Sequence, residues 1–450
     1  MRWAVLVLVG CATTQSPTTR SPQRTQLHTA PVTSVDHANA AIDALVANNW
    51  PAVVEGFDLD SEPPTPSQVE TTWREQTKGL GEPRTWSQVD RTYQDGLEVR
   101  IVHIELERGF VECLLSVDLD TLKLRSLFIT RPAPAPTYIE RERFREVAVR
   151  VGSEPYVLGG TLTLPRGNGP FPAVLLVHGS GPNDRDASVG ATKIFRDLAQ
   201  GLASSGIAVL RYDKRTYTYR DQLSNDISLD DETVHDAVAA VKLLGSRSDI
   251  DPARIFVIGH SLGGLLAPEI AVRAGGVAGI ALLSPPGRPP WEILREQMRY
   301  LGAPREVLAQ TETAAIELSL GIEHGFLVGM PYSYWRDLAS RDGVAMVKRF
   351  SRPTLVMHGT RDYQVTSDDF ATWRDGLAKE TYAELVTIEG VNHLFIAGHG
   401  VPSPLEYKVE NHVDARVLAK LSTFVLHGHR RDAWREARVR EALPVLDLLR

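Results

Sequence analysis

Three residues far apart in the chain have the types needed for nucleophilic catalysis: Ser261, Asp362 and His393. A serine hydroxyl attacks a carbonyl when a histidine takes its proton and an acid orients that histidine. Ser261 sits in Gly259-His260-Ser261-Leu262-Gly263-Gly264, after the apolar run Ile255-Phe256-Val257-Ile258 and before a helical pattern over Leu265 to Arg273. Gly-x-Ser-x-Gly between a strand and a helix is a nucleophile elbow, a sharp turn that lifts the hydroxyl out of a sheet. The glycines clear space where strand and helix nearly touch. The N–H of Leu262 points to the same space and can bind an oxyanion. On its own the motif also fits a glycine-rich β-to-α turn in an ordinary α/β domain.

A second donor comes from His178-Gly179-Ser180-Gly181-Pro182, which follows the wholly apolar strand pattern Ala173 to Val177. An oxyanion hole takes one N–H beside the nucleophile and one from such a loop. Ser180 N–H is the natural partner of Leu262 N–H. His178 reads as a brace for the loop rather than the base, as do Asn183, Asp184, Arg185 and Asp186. Asp362 follows the strand pattern Thr354 to Met357, and His393 follows Ala383 to Ile388. Glu389 competes as the acid but lies too near His393 in sequence. Asp213 precedes the nucleophile, in a charged loop Asp213-Lys214-Arg215 read mainly as paired structure. His260 reads as a packed neighbour of the serine.

The elements that must position these residues alternate between the two periods. Strand patterns at Glu146 to Val151, Val157 to Leu164, Ala173 to Val177, Ile207 to Tyr212, Ile255 to Ile258, Ala278 to Leu283, Thr354 to Met357 and Ala383 to Ile388 interleave with helical ones at Ile194 to Ser204, Leu229 to Leu244 and Val413 to Val425. Ile250-Asp251-Pro252-Ala253 reads as a turn. This rhythm predicts a doubly wound, mostly parallel α/β sheet. Residues 285–350 interrupt it. Prolines open the stretch, helical patterns follow at Trp291 to Leu301 and Arg305 to Leu320, and Met298, Tyr300, Phe326, Met330, Tyr332, Tyr334 and Trp335 lie along it. A helical lid insertion accounts for them, as wall for an apolar substrate group or as packing between lid helices.

Upstream, residues 35–130 read as a separate small α+β domain. Helical spacing over Ala38 to Asn49 and Val69 to Leu80 gives way to strand patterns at Trp86 to Tyr93, Leu97 to Leu106, Phe110 to Val117 and Leu122 to Ile129. The domain carries no catalytic constellation, and its order resembles a small domain of unknown function often found before bacterial serine hydrolases. Residues 131–137 alternate proline with small residues and read as a semi-rigid linker. Residues 138–427 form the catalytic domain and 428–450 a charged C-terminal extension.

The chain has 450 residues, 43% hydrophobic and 23% charged, with net charge −7. The mild acidity gives no case for nucleic acid as a partner. Of two cysteines, Cys113 lies in a strand pattern and Cys11 follows Leu8-Val9-Gly10. That stretch resembles a bacterial lipoprotein signal, which implies cleavage before Cys11, lipidation of its thiol, a flexible tether over 12–34 and attachment on the periplasmic side of a membrane. Only ten residues precede Cys11, against roughly 15 to 30 in a signal peptide. A start site placed too far downstream and a marginal signal both stay open, and a cytoplasmic protein is the alternative.

The motifs together are similar to a bacterial α/β-hydrolase group near the dienelactone-hydrolase and prolyl-oligopeptidase-like enzymes. Leu175 to Asp186, Arg211 to Thr216, Gly259 to Gly264, Arg361 to Val365 and Asn392 to Phe395 carry the likeness, over about residues 140–427. Ser261, Asp362, His393 is the chain order of that fold. The resemblance implies an α/β-hydrolase with a Ser-His-Asp triad, an acyl-enzyme, no cofactor and a small-molecule ester as substrate. A peptidase or aminopeptidase, and an acyltransferase or thioesterase, use the same fold and stay open; an intact triad argues against a non-catalytic binding protein. Oligomeric state is not readable.

Overall fold

The computed structural model describes residues 36–58, 63–94, 97–131, 136–190, 192–224, 226–398, 400–402, 404–408 and 410–427. Cys11, the tether 12–34 and the extension 428–450 lie outside the described residues. The chain separates into two compact units at the proline-rich stretch.

The first unit pairs three helices with a four-stranded antiparallel sheet in sequence order. Strands Pro83–Gln94, Leu97–Leu106, Gly109–Asp118 and Leu124–Thr130 form it. Burial alternates along Gly109–Asp118, with Val111, Cys113, Leu115 and Val117 inside, as a sheet with one covered face requires. Helix His37–Val46 supplies Ile42 and Leu45 to that face, and Pro66–Thr77 supplies Val69 and Trp73. Thr65 and Gln68 form a reciprocal capping box at the start of Pro66–Thr77, satisfying donors the helix end leaves orphaned. Leu122, expected in the last strand, instead has φ 58°. Asp118 Oδ1 accepts the N–H groups of Asp120 and Thr121 at 2.9 Å, so the turn holds the chain until Leu124. The apolar run Val53 to Phe57 overlaps a short helix, Trp50–Glu55, capped by Asn49.

The second unit is built on an eight-stranded sheet. Its order is Ala383–Ile388, Thr354–Gly359, Val277–Leu283, Ile250–His260, Phe171–Val177, Ala208–Tyr212, Leu158–Pro165 and Phe144–Val151. The first six run parallel; Leu158–Pro165 pairs antiparallel on both of its sides. Val174 to Val177 and Phe256 to Ile258 are almost wholly buried. Such strands read as unbroken apolar runs because helices cover both faces. Two apolar layers result. One, with Leu266, Ile270 and Val241, packs against one face; the other, with Phe195, Leu198, Leu421 and Phe424, packs against the opposite face.

The expected turn at Ile250 to Ala253 lies within the strand Ile250–His260, as a register break between Ile250 and Ile255. The single helix expected over Leu229 to Leu244 begins instead as a π-helical turn, Asp230–Val234, and continues as His235–Gly245. The insertion holds four helices: Pro290–Tyr300, Arg305–Ser319, Tyr332–Ala339 and Gly343–Phe350, with a two-residue hairpin before the third. The last two were not separable by periodicity, being only eight residues each. Among the described residues, no helix is long and apolar enough to cross a membrane.

Candidate active site

Parallel strands bring their following loops to one edge, where ligands bind in open α/β sheets. Val177 pairs with Gly259, and His260 pairs with Leu283. The loop after Phe171–Val177 and the elbow after Ile250–His260 therefore leave the sheet side by side. Thr354–Gly359 and Ala383–Ile388 end at the same edge, and lead to Asp362 and His393.

Ser261 has φ 55° and ψ −121°, a backbone conformation that a residue with a Cβ rarely adopts. Its N–H donates to Leu283 O at 2.8 Å, and its carbonyl accepts Leu265 N–H at 3.1 Å. The elbow is thus held from the neighbouring strand and from the helix Leu262–Ala274. A Cβ on Gly259 would stand 2.0 Å from Gly263 O, and one on Gly263 would stand 2.3 Å from Val177 O. Neither backbone can yield, so the turn admits only glycine at both places.

Asp362 and His393 meet. His393 Nδ1 donates to Asp362 Oδ2 at 2.7 Å, with side chains 2% and 0% exposed. Asp362 Oδ1 accepts Gln364 N–H at 2.9 Å and Val365 N–H at 3.0 Å. Burial alone would raise the Asp362 carboxyl; the His393 charge, its hydrogen bond and the Val365 N–H outweigh that and hold it below the usual carboxylate range. Asp362 therefore accepts with both oxygens and fixes the His393 tautomer, leaving Nε2 as the basic nitrogen. Glu389, the rival acid, is exposed, and its carbonyl accepts Arg416.

Two further histidines frame the site as neutral groups. His260 Nε2 donates to the His393 carbonyl at 2.8 Å, and their rings are 4.8 Å apart. This contact sets the His393 backbone beside the residue preceding Ser261. His178 Nε2 donates to Asp184 O at 3.0 Å. Burial, aided by nearby positive charge, pushes both imidazoles down to about 3. Both are committed to carbonyls and too weakly basic for proton transfer.

The loop after Phe171–Val177 is held by its side chains. Asn183 Nδ2 donates to the carbonyls of Gly179, Ser180 and Gly181 at 3.3, 3.0 and 3.0 Å. Asp184 accepts Ser188 N–H and Oγ, and Arg185 binds Asp213 with a pair of N–H groups. The charged loop Asp213-Lys214-Arg215 is paired throughout: Asp213 with Arg185, Lys214 with Glu232, Arg215 with Asp236. Ser180 and Leu262 both face a cavity of about 480 Å³. A Cβ on Gly179 would touch Ser261 Cβ at 3.2 Å, so the loop and the elbow are in near contact.

The cavity is walled by Leu265, Ile293, Tyr334, Trp335, Leu338 and Trp373, with Arg288, Arg341 and Asp342 among its polar residues. Of the insertion's aromatics, Tyr334 and Trp335 reach it. Tyr332 and Met298 pack inside the lid, while Phe326 and Tyr300 are 70% and 45% exposed. Trp373 escaped the sequence reading. It lies in the helix Ser367–Leu377, and its Nε1 donates to the Pro285 and Pro286 carbonyls at 3.1 Å. Only the fold brings that helix beneath the insertion. Glu232 was missed for the same reason.

Over residues 174–421 the chain matches the sequence profile described as the alpha/beta hydrolase family. Esterase EstD of Thermotoga maritima is 35% identical over 362 residues, 79% of this chain and 86% of that protein. The chain belongs to the alpha/beta hydrolase family. Solved structures similar to this hydrolase include a Pyrococcus furiosus esterase, with TM-score 0.43, 18% identity and coverage of 66% of this chain and 97% of that one. A Mycobacterium tuberculosis puromycin-hydrolyzing peptidase gives TM-score 0.45 and 18% identity, over 77% of this chain and 48% of that one.

Proposed function

We propose that this hydrolase is a serine carboxylic-ester hydrolase with Ser261 as nucleophile, His393 as base and Asp362 as its orienting acid. The observation that carries the reading is the buried Asp362–His393 hydrogen bond, at the same sheet edge as a serine with φ 55°. The 35% identity to esterase EstD supports an ester as substrate.

Ser261 Oγ attacks the ester carbonyl carbon while His393 Nε2 takes its proton. The carbonyl π pair moves to oxygen, and the N–H groups of Leu262 and Ser180 hold that oxyanion. Collapse expels the alcohol, which leaves with the proton from His393, and the acyl group stays on Oγ. Water then attacks the acyl carbon, giving its proton to His393. The second collapse releases the carboxylic acid and returns the proton to Oγ. The apolar wall of Leu265, Ile293, Leu338 and Trp373 is suited to the substrate's hydrocarbon part.

The test is a substrate panel of short and long acyl esters, aminoacyl amides and thioesters, run beside fluorophosphonate labelling. Turnover of esters above the other classes, with labelling abolished by Ser261→Ala, is the expected result. Preference for amides would assign a peptidase instead, and preference for thioesters a thioesterase. We also propose that Cys11 is the lipid attachment point and that the enzyme acts on the periplasmic side of a bacterial membrane. Incorporation of an alkynyl fatty acid that is lost in Cys11→Ser is the result this requires.

A further inference from the structure

Lys214 is one of the most deeply buried charges in the chain, with its side chain 2% exposed. It lies outside the triad. Desolvating an ammonium is costly and must be offset by specific partners. Lys214 has two. Its Nζ donates to Glu232 Oε1 at 2.5 Å and to Gly179 O at 2.8 Å. Its own N–H donates to Asn183 O at 3.0 Å. Both ends of the residue therefore grip the loop that carries Ser180.

The choice of Gly179 O matters because of the peptide unit it belongs to. The carbonyl of residue 179 and the N–H of residue 180 share one plane and, in a trans peptide, point in opposite directions. A cation fixed on that carbonyl fixes the direction of Ser180 N–H. It also withdraws electron density through the peptide, which makes the N–H a stronger donor. Asn183 Nδ2 holds the same oxygen more loosely, at 3.3 Å.

Glu232 extends the chain of contacts. It lies in the π-helical turn Asp230–Val234, a local geometry frequent at functional sites. Glu232 is 4% exposed. Asp230, in the same turn, pairs with Arg341 of the insertion at 3.1 Å, and Arg341 faces the same cavity as Ser180 and Leu262. The insertion, the π-turn and the oxyanion loop are thereby joined through two ion pairs.

We infer that the buried Lys214–Glu232 pair is a positioning device that locks the Gly179–Ser180 peptide with its N–H toward the cavity. The inference rests on the serine-hydrolase reading above, with Ser180 as an oxyanion donor. Without Lys214 the peptide can rotate and turn a carbonyl toward the developing negative charge.

The test compares the full chain with Lys214→Met and with the double variant Lys214→Met/Glu232→Gln, which leaves no unpaired buried charge and so separates catalysis from folding. Each is assayed on p-nitrophenyl butyrate and titrated with an alkyl trifluoromethyl ketone, whose adduct places an oxyanion in the site. Loss of one oxyanion donor lowers kcat roughly 100- to 1,000-fold; loss of its positioning is expected to lower kcat about 10- to 100-fold in both variants, with KM within about twofold. Ketone affinity should fall in step with kcat/KM. Wild-type kcat in the folded double variant overturns the inference, as does a loss of kcat with ketone affinity unchanged. Ser261→Ala runs in the same series. If it keeps full activity the serine reading itself fails; if it is inactive while the Lys214 variants are not, only the positioning role fails.

Discussion

Asp362 Oδ2 stands 2.7 Å from His393 Nδ1, and the other oxygen of the same carboxylate is taken up by the N–H groups of Gln364 and Val365. The carboxylate has no rotational freedom left, so the imidazole it binds has none either. Asp362→Asn can keep the backbone contacts through its amide oxygen, but its NH2 then faces His393 and favours the wrong tautomer. Its kcat on p-nitrophenyl esters should fall by about 10⁴-fold, in a chain that stays folded with a modestly lower melting temperature. Steady-state kinetics near the wild-type rate would falsify the pairing's role.

Gly263 tests the elbow's packing. An alanine methyl there would sit 2.3 Å from Val177 O and 2.5 Å from His178 O, backbone atoms at the end of the central strand Phe171–Val177 and the start of its loop. Gly263→Ala should destabilise by about 3 kcal/mol or more, at the upper end for overpacking. Urea unfolding measures it. A stable, active variant would mean that the strand and the elbow helix are further apart than described.

Acid sensitivity follows from His178 and His260. In the unfolded chain an imidazole takes its proton near pH 6.5; in the fold, burial delays that to about 3. Between those values the unfolded state binds more protons, so stability rises with pH and is lost as pH falls from 6.5. Each histidine should contribute a slope of about 1.4 kcal/mol per pH unit over that window. Asp362, held low in the fold, adds its own loss only as pH drops below its unfolded value of about 3.9. Urea midpoints collected from pH 7 to 5 should decline, and His178→Gln should flatten the decline. A flat profile in the wild type contradicts the neutral, buried assignment.

Leu338 is half-buried in the helix Tyr332–Ala339 and faces the cavity. Leu338→Trp should shorten the space for an acyl chain. For hexanoyl relative to acetyl esters, kcat/KM should drop about 10-fold or more, since each methylene is worth roughly 1–3 kcal/mol in a fitted pocket. An unchanged chain-length profile would place the acyl group elsewhere.

Much of this candidate site is legible in the order of the amino acids. Buried parallel strands are apolar throughout, so Ala173 to Val177 and Ile255 to Ile258 stood out by composition alone. Ser261 and Asp362 each follow such a run, and His393 follows the mixed edge strand Ala383–Ile388. The rest depended on contacts between distant segments. Lys214 and Glu232 are eighteen positions apart, and nothing in either neighbourhood signals a shared buried site. Trp373 looks like the core residue of a surface helix until the insertion is seen folding onto it. The short lid helices carry too few turns for a period to show. The π-turn at Asp230–Val234 and the left-handed Leu122 reflect local hydrogen bonding that a hydrophobic pattern does not record.

Most of the cavity's lining comes from the insertion, whereas Ser261, Asp362, His393 and the oxyanion loop all stand on the sheet. On the proposed reading, the reaction and the choice of substrate are therefore written in separate passages of the gene. Exchange of residues 285–350 would then change the substrate without loss of the reaction. The limit on that freedom lies at residues such as Arg341, paired with Asp230 and Glu269, and Arg288, paired with Asp369, where the exchangeable passage reaches back into the fixed one.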